Sequence, residues 1–295
     1  MFGQSTKRSH HAAAVITGAG SGIGAAFATE LARRGGRVVC SDIDETAVQS
    51  TVDAIAAAGG EAIAVRCDVS KITDVESLAT RSQDWFGGPP TLVINNAGVG
   101  AGGTPVGEVS LDDWSWTLGI NLWGPIHGCH VFAPILRAAG TSNAGTSDTG
   151  TSNTAQGIIN VASAAAFGAA PGMAAYNVSK AGVLSLSETL SAELSGTGIA
   201  VTVLCPTFVK TNIVESGRIS TQATGLADTL MRWTGMSAAR VARSCLDSND
   251  RGDLYCVPSL DAKIGWGIKR FVPGAYTRGI GLVSRVGTPQ HAVAQ

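Results

Sequence analysis

Residues 12–42 read AAAVITGAGSGIGAAFATELARRGGRVVCSD. An apolar run over residues 12–17 stops at Gly18, Gly20, Gly22 and Gly24, and a helix-forming segment follows before a second apolar run ends at Asp42. Strand, glycine turn, helix and strand is a context in which a pyrophosphate can approach the backbone closely. The start of the helix then offers unpaired N–H groups and the positive end of its dipole. Asp42 lies eighteen residues beyond Gly24, where a second parallel strand ends beside an adenosine ribose. A carboxylate there accepts from both ribose hydroxyls and repels a 2′-phosphate, which favours NAD over NADP. Asp44 is the expected cap of the next helix, leaving Asp42 free for the ribose.

The same alternation continues. Residues 61–67 form a third strand, and Asp68 at its end is placed either on the adenine amino group or as a cap of the helix starting near Ser70. Residues 91–94 form a fourth strand, followed by Asn95-Asn96-Ala97-Gly98, which reads as the lining of a cofactor cleft or as a plain turn. Repeated β-α units predict an α/β fold, a doubly wound parallel sheet with helices on both faces and its ligand at the C-terminal strand ends.

Residues 160–182, NVASAAAFGAAPGMAAYNVSKAG, carry Ser163, Tyr176 and a single charge, Lys180. Ser163 closes an apolar strand, and Tyr176 and Lys180 stand four apart, on one face of a helix. A free tyrosine, with pKa about 10, is a poor base at neutral pH. An ammonium about 4 Å away contributes on the order of 4 kcal/mol at an effective dielectric of about 20. That interaction is expected to bring Tyr176 towards neutrality, while Ser163 donates to a substrate oxygen.

Residues 111–139 read as one long helix kinked at Gly124-Pro125, with Trp114, Trp116 and Trp123 as packing or interface residues. The segment 140–156 opens on a repeat, GTSN, GTSD, GTSN, too polar and small to bury a core, and is expected to be a mobile surface insertion. Composition is 44% hydrophobic and 15% charged with a net charge of −1, which gives no electrostatic case for nucleic-acid binding. Six scattered cysteines without a C-x-x-C pair suggest reduced core thiols in a cytoplasmic protein and no metal site. The uncharged stretch 157–175 is interrupted by Asn160, Ser163 and Pro171, so a transmembrane helix is not expected.

Taken in order, Thr17-Gly18-x-x-x-Gly22-Ile23-Gly24, Asn95-Asn96-Ala97-Gly98, Asn121, Ser163 and Tyr176-x-x-x-Lys180 make the chain similar to the short-chain dehydrogenase/reductase family over residues 12–258. The resemblance implies a Rossmann-type sheet of seven parallel strands in a single domain, after a flexible N-terminus of residues 1–11. It implies an enzyme moving a hydride between a nicotinamide cofactor and a carbonyl, with Asn121, Ser163, Tyr176 and Lys180 catalytic. Asn121 would hold a water that takes the proton onward from Lys180. Cofactor contacts are implied at Gly18, Ser21, Gly22, Ile23, Gly24, Asp42, Asp68, Val69, Asn95, Ala97, Gly98, Tyr176, Lys180, Pro206 and Thr211. Family members commonly form dimers or tetramers on the helices bearing Asn121 and Tyr176.

Thr207 stands where the family usually has glycine, either restricting the backbone beside the nicotinamide or adding a hydroxyl near its carboxamide. Residues 207–236 are expected to form a substrate lid offering Phe208, Ile213, Leu226, Leu230, Met231 and Trp233. With Ser163, Ala165, Phe167, Met173 and Tyr176 they suggest a hydrophobic secondary alcohol or ketone. An NADPH-dependent 3-oxoacyl-type ketoreductase and a non-catalytic dinucleotide sensor are the alternatives. Asp42 argues against the first and the intact Asn121/Ser163/Tyr176/Lys180 set against the second. The extension 259–295 interleaves Lys263, Lys269, Arg270, Arg278 and Arg285 with Trp266, Phe271 and Tyr276. Packing on the subunit or its neighbour is preferred there over a membrane contact. Replacing residues 142–153 by a short Gly-Ser turn is expected to leave turnover largely intact, and a folded deletion variant with a large loss would refute the surface-insertion reading.

Overall fold

The computed structural model describes residues 7–144, 155–168, 170–207, 209–210, 217–219 and 236–287. Seven parallel strands form one sheet: β1 (Ala13–Thr17), β2 (Arg37–Asp42), β3 (Glu61–Arg66), β4 (Leu92–Asn95), β6 (Gln156–Val161), β7 (Ile199–Leu204) and β11 (Tyr255–Cys256). Their spatial order is β11-β7-β6-β4-β1-β2-β3, so the winding direction reverses between β1 and β4. The predicted doubly wound sheet is what the chain forms, with β1 to β4 within a residue of their expected places. Two short parallel pairs lie outside it, β5 (Ala101–Gly102) with β9 (Arg218–Ile219) and β8 (Val209–Lys210) with β10 (Met236–Ser237).

The apolar runs explain the layering. Every residue of β4 and β6 is buried, as a strand covered on both faces requires, whereas edge strand β3 buries only Val65 fully. Along β1 the side chains alternate. Ala14 and Ile16 join Phe27 and Leu31 of α1 (Gly22–Arg33), Val52 of α2 (Glu45–Ala57) and Leu246 of α7 (Ala238–Arg251). Val15 faces the other way, into Leu78 of α3 (Ile72–Phe86), Phe132 of α5 (Gly124–Ala144) and Leu190 of α6 (Ala174–Glu193). A third cluster joins Phe167 and Val203 to Ala262 and Trp266 of α8 (Leu260–Phe271). The final helix is α9 (Pro273–Gly287). Among the described residues no helix is long and apolar enough to cross a membrane.

Three expectations are corrected. The helix predicted over 111–139 is two helices, α4 (Leu111–Leu118) and α5, joined by a π-helical turn, Gly119–Trp123. That widened turn breaks the hydrogen-bond ladder, and Pro125 merely starts α5, where its missing N–H is tolerated. Gly140–Ala144 prolong α5 instead of opening the insertion, because each added turn pairs carbonyls that a helix end leaves orphaned. Residues 145–154 lie outside the described residues. The N-terminus is tied down from Arg8 onward. Its guanidinium donates to the carbonyls of Gln156 (2.9 Å) and Asn249 (3.1 Å), and Ser9 Oγ donates to Asp250 (2.6 Å).

All six cysteines are buried and free. Beneath the centre of the sheet, Asn95 Nδ2 donates to Asn160 Oδ1 (2.8 Å) and Asn160 Nδ2 to Ser187 Oγ (3.0 Å), all buried. This polar chain ties β4 and β6 to α6, and a methyl at Gly128 of α5 would overlap the Asn95 amide. Asn160→Ala removes both bonds, leaving Asn95 only a long contact with Cys129 (3.6 Å) and Ser187 its bond to the Val183 carbonyl (2.7 Å), and is expected to lower unfolding stability by about 1–2 kcal/mol, read as a fall in urea midpoint at unchanged slope.

Candidate active site

At the C-terminal end of β1 the chain turns through Gly18 (φ +67°) and Gly22 (φ +56°), a left-handed conformation that glycine adopts without strain. A methyl on Gly24 would overlap the Gly18 carbonyl, so the first turn of α1 lies directly against the loop. Ser21 occupies the N-cap of α1 without a side-chain hydrogen bond to the helix, and the first turn carries no acidic residue. At α2, by contrast, Asp44 accepts from the amides of Thr46 and Ala47 (both 3.0 Å), and Glu45 follows. One helix start is closed by carboxylates, and the other is left open to an anion.

Asp42 stands above this turn. The sequence predicts a free carboxylate here, but Oδ2 accepts from the Gly20 amide (2.9 Å) and Oδ1 from the Asp44 amide (3.1 Å). These bonds fix the carboxylate at the mouth of the loop and leave lone pairs on both oxygens. Asp68 accepts from the Ser70 amide (3.1 Å) and hydroxyl (2.6 Å) and pairs with Lys71 (3.5 Å). Burial raises its pKa, but the bonds from Ser70 and Lys71 outweigh that and hold the carboxyl below its ordinary value. The helix α3 itself begins after Lys71, so Asp68 closes a turn before it. The carbonyl of buried Val69 accepts from His127 Nδ1 (2.9 Å).

Asn96 is the residue here that the sequence reading left without a role. Its Nδ2 donates to the carbonyls of Thr17 (2.9 Å) and Gly18 (3.0 Å). Thr17 Oγ1 in turn accepts from the amides of Asn96 (3.0 Å) and Ala97 (3.2 Å). The signal was there in the paired asparagines, which face opposite ways. Asn95 points into the core, bonded to Asn160, so only its backbone is available to the cleft.

On the other side of the cleft, Ser163 ends the segment after β6; its Oγ accepts from the Ala165 amide (3.1 Å), and its O–H lies 3.5 Å from the Pro206 carbonyl and within reach of Tyr176. Tyr176 and Lys180 lie on the first turns of α6. Lys180 is 3% exposed; Nζ donates to the Val161 carbonyl (3.1 Å) and lies 5.7 Å from the Tyr176 ring centroid. Asn121 is fully buried in the π turn, its Oδ1 accepting from the Val99 amide (2.8 Å) and its Nδ2 donating to the Val99 carbonyl (2.9 Å). A methyl on Gly98 would stand 3.2 Å from Asn121 Oδ1 and 3.3 Å from Lys180 Nζ, so the groups expected to act together do converge.

Their electrostatics depart from expectation. Burial pushes the Tyr176 phenol above its ordinary value, and the hydrogen bond with Ser163 offsets this only in part. Burial also pulls Lys180 down to about 8, with Cys205 acting weakly the other way. The expected lowering of Tyr176 by Lys180 is absent: burial dominates the phenol, and what opposes it comes from Ser163.

Phe167, expected to face substrate, is instead buried and stacked on Trp266, centroids 4.7 Å apart. Thr207 donates from Oγ1 to Ser259 Oγ (3.1 Å), so its hydroxyl anchors the start of α8. Buried Pro206 receives the Ala164 amide on its carbonyl (2.8 Å). Met173 lies against Gly102 and lines a small cleft of about 70 Å³ with Glu108, Val109, Asp113, Thr117 and Arg218. Arg218 closes it, paired with Asp113 (2.6 Å) and stacked over Trp116 (4.3 Å to the ring centroid). Phe208, Thr211 and the lid residues Ile213, Leu226, Leu230, Met231 and Trp233 lie outside the described residues.

Residues 12–221 match the family model for short chain dehydrogenases. A probable oxidoreductase EphD of Mycobacterium tuberculosis is 38% identical over 201 residues, covering 68% of this chain and 31% of its own length. The chain thus spans about a third of that relative's length. The 1-deoxy-11-beta-hydroxypentalenate dehydrogenase of Streptomyces exfoliatus is 34% identical over 253 residues, 85% of this chain and 84% of that protein. A crystal structure of a short chain dehydrogenase/reductase from Burkholderia phymatum in complex with NAD superposes with a TM-score of 0.78 at 32% identity, covering 96% of this chain and 97% of that one.

A lysine buried with its pKa lowered penalises the folded state where it is charged. The penalty is complete below about pH 8 and fades as pH rises from there towards the unfolded lysine value. Lys180→Met is therefore expected to stabilise the fold near pH 7 by up to the order of 3 kcal/mol, less the loss of the bond to Val161. Urea unfolding at pH 7 and pH 10 checks this: the gain should shrink at the higher pH, and a variant less stable than wild type at pH 7 would refute the penalty.

Proposed function

The chain belongs to the short-chain dehydrogenase family, and from that premise we propose that it interconverts a hydrophobic secondary alcohol and its ketone with NAD. The observation that carries the reading is the convergence of Ser163, Tyr176 and buried Lys180 across a cleft from an uncapped glycine turn.

The residues present fit a dinucleotide. A side chain on Gly18 or Gly24 would fill the cradle, since even a methyl on Gly18 would stand 2.7 Å from Ala97 Cα. The open start of α1, from Ser21 to Gly24, would hold the pyrophosphate, and Asp42 would accept from the adenosine ribose hydroxyls. Its negative charge disfavours a 2′-phosphate, which supports NAD over NADP. Bound there, the nicotinamide supplies the two-electron acceptor or donor for the carbinol carbon.

Tyr176 handles the proton at the substrate oxygen. With its phenol raised by burial it is protonated at neutral pH, the form that ketone reduction needs. Alcohol oxidation requires tyrosinate, and Lys180 is the cation placed to favour it. Ser163 turns its O–H from the long contact with the Pro206 carbonyl (3.5 Å) to the same oxygen and stabilises charge that builds there. The Asn121 side chain is occupied by Val99, so a proton relay past this residue would use its backbone. Its amide side chain instead holds the strand-end loop against the π turn. The apolar character of Ala164–Ala166 and Met173 supports a hydrophobic substrate. Half-exposed Trp123, in the π turn before α5, and Val178, on α6, support assembly as a homodimer or homotetramer.

Tyr176→Phe is expected to bind NADH, by fluorescence titration, as wild type does. Its turnover on a panel of apolar secondary alcohols with NAD should fall by roughly 10²–10⁴-fold. Substantial residual turnover would remove Tyr176 from this role. Wild-type protein that binds NADH yet oxidises no alcohol and reduces no ketone would favour a dinucleotide sensor instead.

A further inference from the structure

Seven of the twelve large apolar side chains that stand exposed among the described residues fall between Leu260 and Val283. The other five are scattered over the rest of the molecule, so this end of the chain is where apolar surface collects. On α8, Leu260, Ile264, Ile268 and Phe271 share one sector of about 80° at 3.6 residues per turn. The opposite side holds Ala262 and Trp266, seated on Val257 and Phe167. The helix therefore already uses one face for the subunit, and the exposed stripe is a second face that no element among the described residues covers. Leu260 and Phe271, at its two ends, are 71% and 83% exposed. Val272 at the junction with α9, and Leu282 and Val283 further on, extend the apolar surface.

Charge identifies the occupant. From Ser259 to the last residue the chain has five basic residues and one acidic, against sixteen basic and twenty-one acidic before it. Lys263 and Arg270 flank the stripe on one side, both exposed. Exposed Asp261 borders the other side, and an antiparallel two-fold pairing of this face with its own copy would set Lys263 and Arg270 of the two copies along the same flank. Apolar residues along one face with Lys and Arg beside them match a surface that is apolar inside and anionic outside.

We propose that α8 and α9 form an interfacial docking surface for an anionic lipid bilayer, with Leu260, Ile264, Ile268 and Phe271 inserted among the acyl chains and Lys263 and Arg270 at the headgroups. The contact lies in the plane of the interface and crosses nothing. It also adjoins the chemistry. Ser259, at the start of α8, accepts from Thr207, whose neighbour Pro206 receives the Ala164 amide, and Trp266 stacks on Phe167, four residues past Ser163. Docking would bring the substrate side of the cleft close to the lipid. Binding itself does not depend on the reaction proposed above and is read without it.

The test is co-sedimentation of the full-length protein with phosphatidylcholine vesicles and with vesicles in which about a third of the lipid is phosphatidylglycerol. Wild type is expected to sediment with the anionic vesicles at least about tenfold better than with the neutral ones, and to be released by high salt. The double variant Ile264→Glu/Ile268→Glu should lose binding to both. Lys263→Gln/Arg270→Gln, which alters only exposed side chains, should lose the preference for anionic lipid, with thermal melting and NADH binding unchanged. Wild type that stays in the supernatant, or that sediments equally with both vesicles, overturns the proposal. So does a wild-type oligomer in solution that Ile264→Glu/Ile268→Glu dissociates, which would make the face a contact between subunits.

Discussion

Where the sheet reverses its winding, β1 and β4 must remain paired although the chains leaving them turn to opposite faces. Past Thr17 and Ile94 no strand pairing holds the two ends together, and the carbonyls of Thr17 and Gly18 would face a gap. The Asn96 amide spans it, donating to both, while Thr17 Oγ1 collects the amides of Asn96 and Ala97. Four bonds close the floor of the cleft. The course of the glycine turn, the approach of Gly24 to the Gly18 carbonyl and the aim of α1 all follow from that closure. So does the position of Asp42, which is tied to the turn through the Gly20 amide.

A second constraint comes from burying an amine. Lys180 sits in an otherwise uncharged run, 3% exposed, with the Val161 carbonyl as acceptor. Desolvation acts on it and on the phenol of Tyr176 in opposite senses, lowering one pKa and raising the other. The neutral forms of both are thus favoured together, which brings the lysine into the range where it titrates near physiological pH. A buried amine of this kind opposes stability and serves chemistry, the usual direction of compromise at a reactive site.

Much of this was legible in the chain. The strands betray themselves as apolar runs because parallel strands are covered on both faces, and the glycines, Asp44 and the Tyr176/Lys180 spacing have local consequences that any segment of that sequence would share. The residues misread from sequence are those whose neighbours come from far along the chain. Phe167 looks like a substrate contact until Trp266, ninety-nine positions on, is stacked against it. Nothing around Thr207 in the chain announces that its hydroxyl donates to Ser259, fifty-two positions on. Asn95 and Asn96 are adjacent and alike, yet one belongs to the core and the other to the cleft, because successive side chains of a strand point to opposite faces.

The sequence by itself determined the order of elements, the doubly wound sheet and the set of groups at its C-terminal edge, since periodicity and glycine placement act over short range. Only the tertiary structure decided which way each of those groups is tuned. The sign of the Tyr176 shift depends on how much water the surrounding layers exclude, and the open face of α8 on what the rest of the chain leaves uncovered. Burial is a sum over the whole fold, and no local stretch of residues contains it.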